Sequence, residues 1–119
     1  MSETRKWTGG CHCGRVRFEA ELALDGLKIC NCSYCQKRGS IMGFVPVSAF
    51  RLLSGKDEEA EYLFNKKKIH HTFCPECGIG SYSYGTTPSG ASMVAINVRC
   101  LDGVDAASLT PTLFDGRSL

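Results

Sequence analysis

The stretch "CPECG", residues 74–78, sets two cysteines three positions apart and ends on glycine. In a C-x-x-C-G knuckle the turn aims both sulfurs at one point, and the glycine can take the positive φ the turn needs. Pro75 pre-sets the backbone. Such a pair holds zinc or, less often, an iron–sulfur cluster. It supplies two ligands, and a tetrahedral site needs two more. The "CHC" at 11–13 offers Cys11 and Cys13, with no other sulfur close by in sequence. A structural zinc on Cys11, Cys13, Cys74 and Cys77 would tie the early part of the chain to its middle. Structural zinc contributes about 10–16 kcal/mol, against about 5–15 kcal/mol for the stability of a whole domain. This one site could decide whether the fold exists.

Another group lies between these halves. "CNCSYCQKRG", residues 30–39, carries Cys30, Cys32 and Cys35. Three thiols are too many for one disulfide and one too few for a closed tetrahedral site. Either they form a zinc site with an open fourth position, as catalytic sites do, or the eighth cysteine, Cys100, closes a second four-sulfur site. The simple count of eight sulfurs favours closure. The local pattern opposes it: Val94, Ile96, Val98 and Cys100 share one strand phase, so Cys100 reads as a small apolar core residue. An open site would have a definite chemistry. Zinc held by three thiolates carries a net negative charge, which quenches most of the acidity that three neutral histidines leave on the metal. Such a centre is a poor hydrolase. It suits capture of an incoming thiol as thiolate, and so chemistry at a substrate sulfur.

The chain of 119 residues is enough for one domain, spanning residues 1–119. Hydrophobic residues make up 43% and charged residues 22%, as in ordinary globular proteins. The formal net charge of +2 gives no ground to expect nucleic acid as a partner. The opening "MSETRKW" is polar, no apolar signal region follows it, and no stretch approaches the roughly 18 apolar residues of a membrane helix. The expected compartment is therefore the reducing cytoplasm, where eight cysteines point to metal before disulfides. The C-x-C pairs also sit too close for relaxed disulfide geometry.

Period-two alternation and thirteen glycines predict a mainly β chain of seven or eight short strands with cysteines at their ends. "RVRFEAEL" (15–22) is the clearest strand, with Val16, Phe18, Ala20 and Leu22 on one face. Residues 27–30, 41–47, 50–55, 59–64, 69–73, 80–85 and 92–98 supply the others. In 59–64, Ala60, Tyr62 and Phe64 share a face. Pro46 marks an edge or an end. "SYCQKRGS" is a turn or a single helical turn, and the tail from "DGVDAASL" onward holds at most one short helix.

Other polar residues are ambiguous. His12 lies between two ligands and is expected to point away from the metal. His70 and His71 occupy opposite faces of a strand, so at most one faces the metal region. Lys37 and Arg38 could hold the carboxylates of a peptide thiol, or could belong to a solvated turn. Tyr34 could flank a substrate pocket or cover the metal. The "NKKK" run (65–68) reads as a solvated hairpin end.

"GGCHCGRVRFEAEL", "CNCSYCQKRG", "HHTFCPECGIGSY" and "INVRCLDG", in this order, resemble the glutathione-dependent formaldehyde-activating (GFA) family, which takes in centromere protein V. The resemblance runs from about residue 8 to the end. It implies a mainly β "β-tent" zinc-binding fold of several short antiparallel strands with two zinc ions (Zn2+). It implies a structural zinc on Cys11, Cys13, Cys74 and Cys77, a catalytic zinc on Cys30, Cys32 and Cys35, and no ligand role for Cys100. The implied activity is that of a carbon–sulfur lyase: reversible condensation of formaldehyde with glutathione to S-(hydroxymethyl)glutathione. No general base is identifiable from these residues. The rival expectation is a zinc-stabilised module that binds protein or nucleic acid without turnover; the fourth ligand of the second zinc separates the two.

Overall fold

A computed structural model of the protein describes residues 3–63, 69–86 and 90–118. Among these residues ten strands and one α-helix follow in the order β1 (Arg5–Gly10), β2 (Arg17–Leu22), β3 (Lys28–Cys30), α1 (Ser33–Arg38), β4 (Met42–Pro46), β5 (Phe50–Ser54), β6 (Ala60–Tyr62), β7 (His70–Phe73), β8 (Tyr82–Thr86), β9 (Ser92–Asn97) and β10 (Thr112–Phe114). They form a three-stranded sheet of order β1-β2-β5 and a seven-stranded sheet of order β10-β3-β4-β9-β8-β7-β6. The mainly β expectation holds. No helix among the described residues is long and apolar enough to cross a membrane.

The alternation of residues 16–22 does what it predicts. Val16, Phe18, Ala20 and Leu22 are all buried, and Phe18 is fully enclosed. Its ring lies 5.6 Å from Phe50 and 6.5 Å from Tyr82. Val45, Val94 and Ile96 come from the large sheet to meet it. The core is thus the space between the two sheets. The Tyr82 hydroxyl donates to Glu59 at its margin. Desolvation raises the pKa of that carboxyl above the usual range.

The other face of the large sheet matters more for function. Directly opposed residues on neighbouring strands share a face. Tyr62 pairs with His71, His71 with Ser83, Ser83 with Ala95, and Ala95 with Phe44. These five make one row across the sheet, on the side away from the core. Helix α1 lies over one end of that row: the Tyr34 ring stands 5.2 Å from Tyr62 and 4.4 Å from His71.

Three differences from the sequence expectation have physical causes. β1 carries two basic residues and two glycines, has no clean alternation, and is a strand because it pairs with β2 along six residues. β10 exposes all three of its residues and is defined by parallel pairing with β3, the one departure from antiparallel order among the named pairs. The chain after Asn97 turns into a 3-10 segment, Val98–Cys100, so Cys100 leaves the strand phase it was expected to share. Phe64 and the 65–68 run lie outside the described residues.

Phe18→Ala should lower the free energy of unfolding by about 3–5 kcal/mol, as for other enclosed aromatics, in a chemical denaturation series. A loss below about 1 kcal/mol would mean that the inter-sheet space is not the main core.

Candidate metal centres

Cys11 and Cys13 follow directly on β1, in a tight turn. The Cys11 N–H donates to Val16 O at 3.0 Å, and the Gly14 N–H reaches back to Cys11 O at 3.3 Å. Cys74 and Cys77 follow β7 in the knuckle. There the Gly78 N–H donates to Cys74 O at 2.7 Å, with Gly78 at φ +80°. The four sulfurs all lie within 4.8 Å of one another. Cys11 and Cys13 are 3.7 Å apart, and Cys13 and Cys74 3.6 Å. Zn–S bonds of about 2.3 Å in a tetrahedron set sulfurs about 3.8 Å apart. The donor set therefore fits zinc in both chemistry and spacing.

Thiols this close do not ionise independently. Desolvation opposes ionisation of Cys77, but backbone N–H groups of Cys13 and Ile79 and the neighbouring thiols outweigh it and pull its pKa down to about 6. The Arg15 N–H favours the Cys13 thiolate, yet desolvation and the three neighbouring sulfurs push its pKa up to about 11. A bound cation would relieve this conflict, because it stabilises every thiolate at once.

The second group forms where β3 runs into α1. Cys30 ends the strand, Cys32 is the N-cap of the helix, and Cys35 lies buried within it. The Cys32 N–H donates to Cys30 Sγ and the Cys35 N–H to Cys32 Sγ, each at 3.4 Å. Gly39 closes the helix in the left-handed conformation, at φ +77°. These three sulfurs also lie within 4.8 Å of one another. Among the described residues the group has three members. Cys100 belongs to neither group: its Sγ sits 4.0 Å from the Gly80 carbonyl oxygen. Burial pushes the Cys35 thiol far above its ordinary range, with the neighbouring sulfurs adding to the shift. Burial likewise raises Cys30.

The two cations after the cluster part company. Lys37 is exposed. Arg38 turns back over Tyr34, its guanidinium carbon 5.6 Å from the ring centroid. It passes so close to Gly80 that any side chain there would collide with it. Among the described residues no acidic side chain pairs with Arg38. The histidines split as expected for a strand. His70 stacks on Tyr84 at 4.6 Å and contacts Glu61 at 3.0 Å. His71 is buried under Tyr34. Burial first, then the charges of Arg38 and His70, bring its pKa down to about 4.

Sequence reasoning missed the segment that borders Cys30. Residues 114–117 lie against it, and a Cβ on Gly116 would stand 2.5 Å from Cys30 Sγ. Nothing local announces a contact over more than eighty residues. Its anchor, Asn31, stood unremarked between two cysteines.

A protein-family profile described as "Glutathione-dependent formaldehyde-activating enzyme" matches residues 6–114. A crystal structure of a Rhodobacter sphaeroides protein, solved as a structural-genomics target, superimposes with a TM-score of 0.82 at 31% identity. The match covers 90% of this chain and 99% of that one.

Two outcomes follow from the geometry. Cys77→Ser should abolish stable folding, because a structural zinc at these four sulfurs would be worth about as much as a domain. Cys32→Ser should leave a cooperative melt, since its group closes only a strand-to-helix corner. A normally folded Cys77→Ser protein would reverse the two roles. His71 should stay neutral in an NMR titration from about pH 8 to about 5.5, where an ordinary histidine passes its midpoint near 6.5. The unfolded chain takes up this proton below about 6.5 and the folded one only near 4. Stability should therefore fall with pH in that window, and His71→Phe should flatten the fall. A His71 midpoint above 6 would contradict its burial under Tyr34 near the Arg38 charge.

Proposed function

Because the chain belongs to the glutathione-dependent formaldehyde-activating family, we propose that it is a two-zinc enzyme joining a small thiol to an aldehyde. The observation that carries this reading is the inequality of the two cysteine groups: four sulfurs in one and three in the other. In it, Cys11, Cys13, Cys74 and Cys77 hold a structural zinc, and Cys30, Cys32 and Cys35 hold a zinc that keeps one position for the substrate. Zinc bound there would supply the positive charge that keeps an incoming thiol ionised at neutral pH.

The overall reaction is the reversible addition of a thiol S–H across an aldehyde C=O. The sulfur–carbon bond forms as the C=O π bond breaks, and the proton ends on the oxygen. Glutathione with formaldehyde is the pair the family's description names. Of the chain's own groups, Arg38 is the cation for a substrate carboxylate, because it is half-buried and has no acidic partner among the described residues. A charge-assisted pair with a carboxylate is worth about twice a neutral hydrogen bond. Lys37, being exposed, adds at most a screened attraction. Tyr34 and neutral His71 form the floor beneath Arg38. Neither adds charge there. The cytoplasm suits the chemistry, since eight cysteines outside any disulfide persist where glutathione keeps them reduced.

The test is exchange NMR with glutathione and labelled formaldehyde. The zinc-loaded protein should accelerate formation and breakdown of the S-hydroxymethyl adduct. Cys32→Ser should lose one zinc and this acceleration together. Arg38→Gln should raise KM for glutathione about tenfold, with a smaller effect for a thiol lacking carboxylates, as expected for loss of about 1.4 kcal/mol of binding. Two retained zincs with no acceleration for any thiol–aldehyde pair would refute the enzyme reading and leave a zinc-stabilised binding module.

A further inference from the structure

Three hydrogen bonds from one residue hold the last described segment over the three-cysteine group. The Asn31 N–H donates to Phe114 O at 3.2 Å. Its side-chain amide donates to Asp115 Oδ1 at 2.9 Å, and its side-chain oxygen accepts the Arg117 N–H at 2.8 Å. The parallel pairing of β10 with β3 sets the register, opposing Phe114 to Cys30. Arg117 then crosses to Gln36 on α1, donating at 2.5 Å. Ser118 donates to Asp115 at 2.7 Å and fixes that carboxylate. The outcome is that Gly116 lies against Cys30 Sγ, in a gap no side chain could share, with Cys32 Cβ 3.4 Å from where its own Cβ would be.

We propose that residues 112–118 form a wall of the three-cysteine centre, that Asn31 is the positioning residue holding it, and that the wall controls how readily an outside reagent reaches Cys30. This rests on the reading of that centre as the substrate's binding place, and extends it to what gates entry. The side chain of Asn31 suits the task because it lies between two ligands of the motif. It offers a donor and an acceptor to two points of the wall and carries no charge that would compete with the sulfurs. A glycine at 116 lets the main chain approach closely where any larger residue would push the wall outward. Cys30 is half-buried beside the wall, so local opening of the segment uncovers it further and its reactivity rises with the population of the open form.

The test is alkylation of Cys30 by iodoacetamide in the zinc-loaded protein, followed by peptide mass mapping, alongside zinc transfer to a chromogenic chelator. Asn31→Ala removes both side-chain bonds and should speed Cys30 alkylation about tenfold, equivalent to about 1.4 kcal/mol off the closed state. Gly116→Ala should do the same without touching the cysteine motif. Asn31→Asp alone sets two carboxylates against each other and should also open the wall. Combined with Asp115→Asn it restores a donor–acceptor match and should bring the rate back toward wild type. Alkylation of Cys77 and loss of zinc from the four-cysteine group should be unchanged throughout. Wild-type rates in Asn31→Ala, or no rescue by the exchanged pair, would overturn the proposal. A wild-type protein holding only one zinc would sink the two-zinc reading instead, and the alkylation comparison would still decide the wall.

Discussion

Cys11 and Cys13 follow an edge strand of the small sheet, and Cys74 and Cys77 follow β7 of the large one. The meeting of their sulfurs within 4.8 Å is therefore the point where the two sheets are joined at one end. Four thiols at that spacing gain little from one another: ionised they repel, and neutral they hydrogen-bond weakly. A cation changes the balance, because each thiolate then interacts with the ion rather than with its neighbours. The enclosed core of Phe18, Ile96, Val94 and Val45 packs between sheets whose ends a metal there would fix. In a chain of 119 residues the apolar core is modest, and a metal closing a loop of more than sixty residues is a large addition.

The face of the large sheet away from the core carries the second cysteine group's helix. The row from Tyr62 through His71, Ser83 and Ala95 to Phe44 is a platform, and α1 rests on one end of it. The helix is short and needs outside support. Cys32 caps its start, Gly39 closes its end, and Tyr34 stacks on the sheet. The same residues that could hold a metal thus also form the helix, so geometry at the sulfurs and helix integrity are linked. Arg38, one turn beyond Cys35, is carried by this arrangement to a half-buried position over Tyr34.

Much of this was legible in the sequence. The cysteine groups declared themselves through spacing, because ligands three residues apart on a knuckle must converge. The strand from residue 16 to 22 declared itself through alternation, because only one of its faces is buried. What was not legible depends on distant partners. β10 exposes every side chain and exists through its bonds to β3. That His71 rather than His70 is the covered one depends on where α1 lands, since the strand only sends the two to opposite faces. Cys100 looked like the continuation of a strand, but the chain turns at Asn97, whose side chain caps the turn by accepting from the Arg99 N–H. The side-chain bonds of Asn31 are visible only once residues 115 and 117 are beside it.

The central claim is that the two metal centres differ in how completely the protein itself surrounds the ion. Zinc-edge X-ray absorption of the purified protein, with and without added glutathione, measures this directly. The expected result is an average below four sulfurs per zinc with a lighter scatterer completing the sphere, rising to four when the thiol is added. Four sulfurs per zinc before any thiol is present would contradict it.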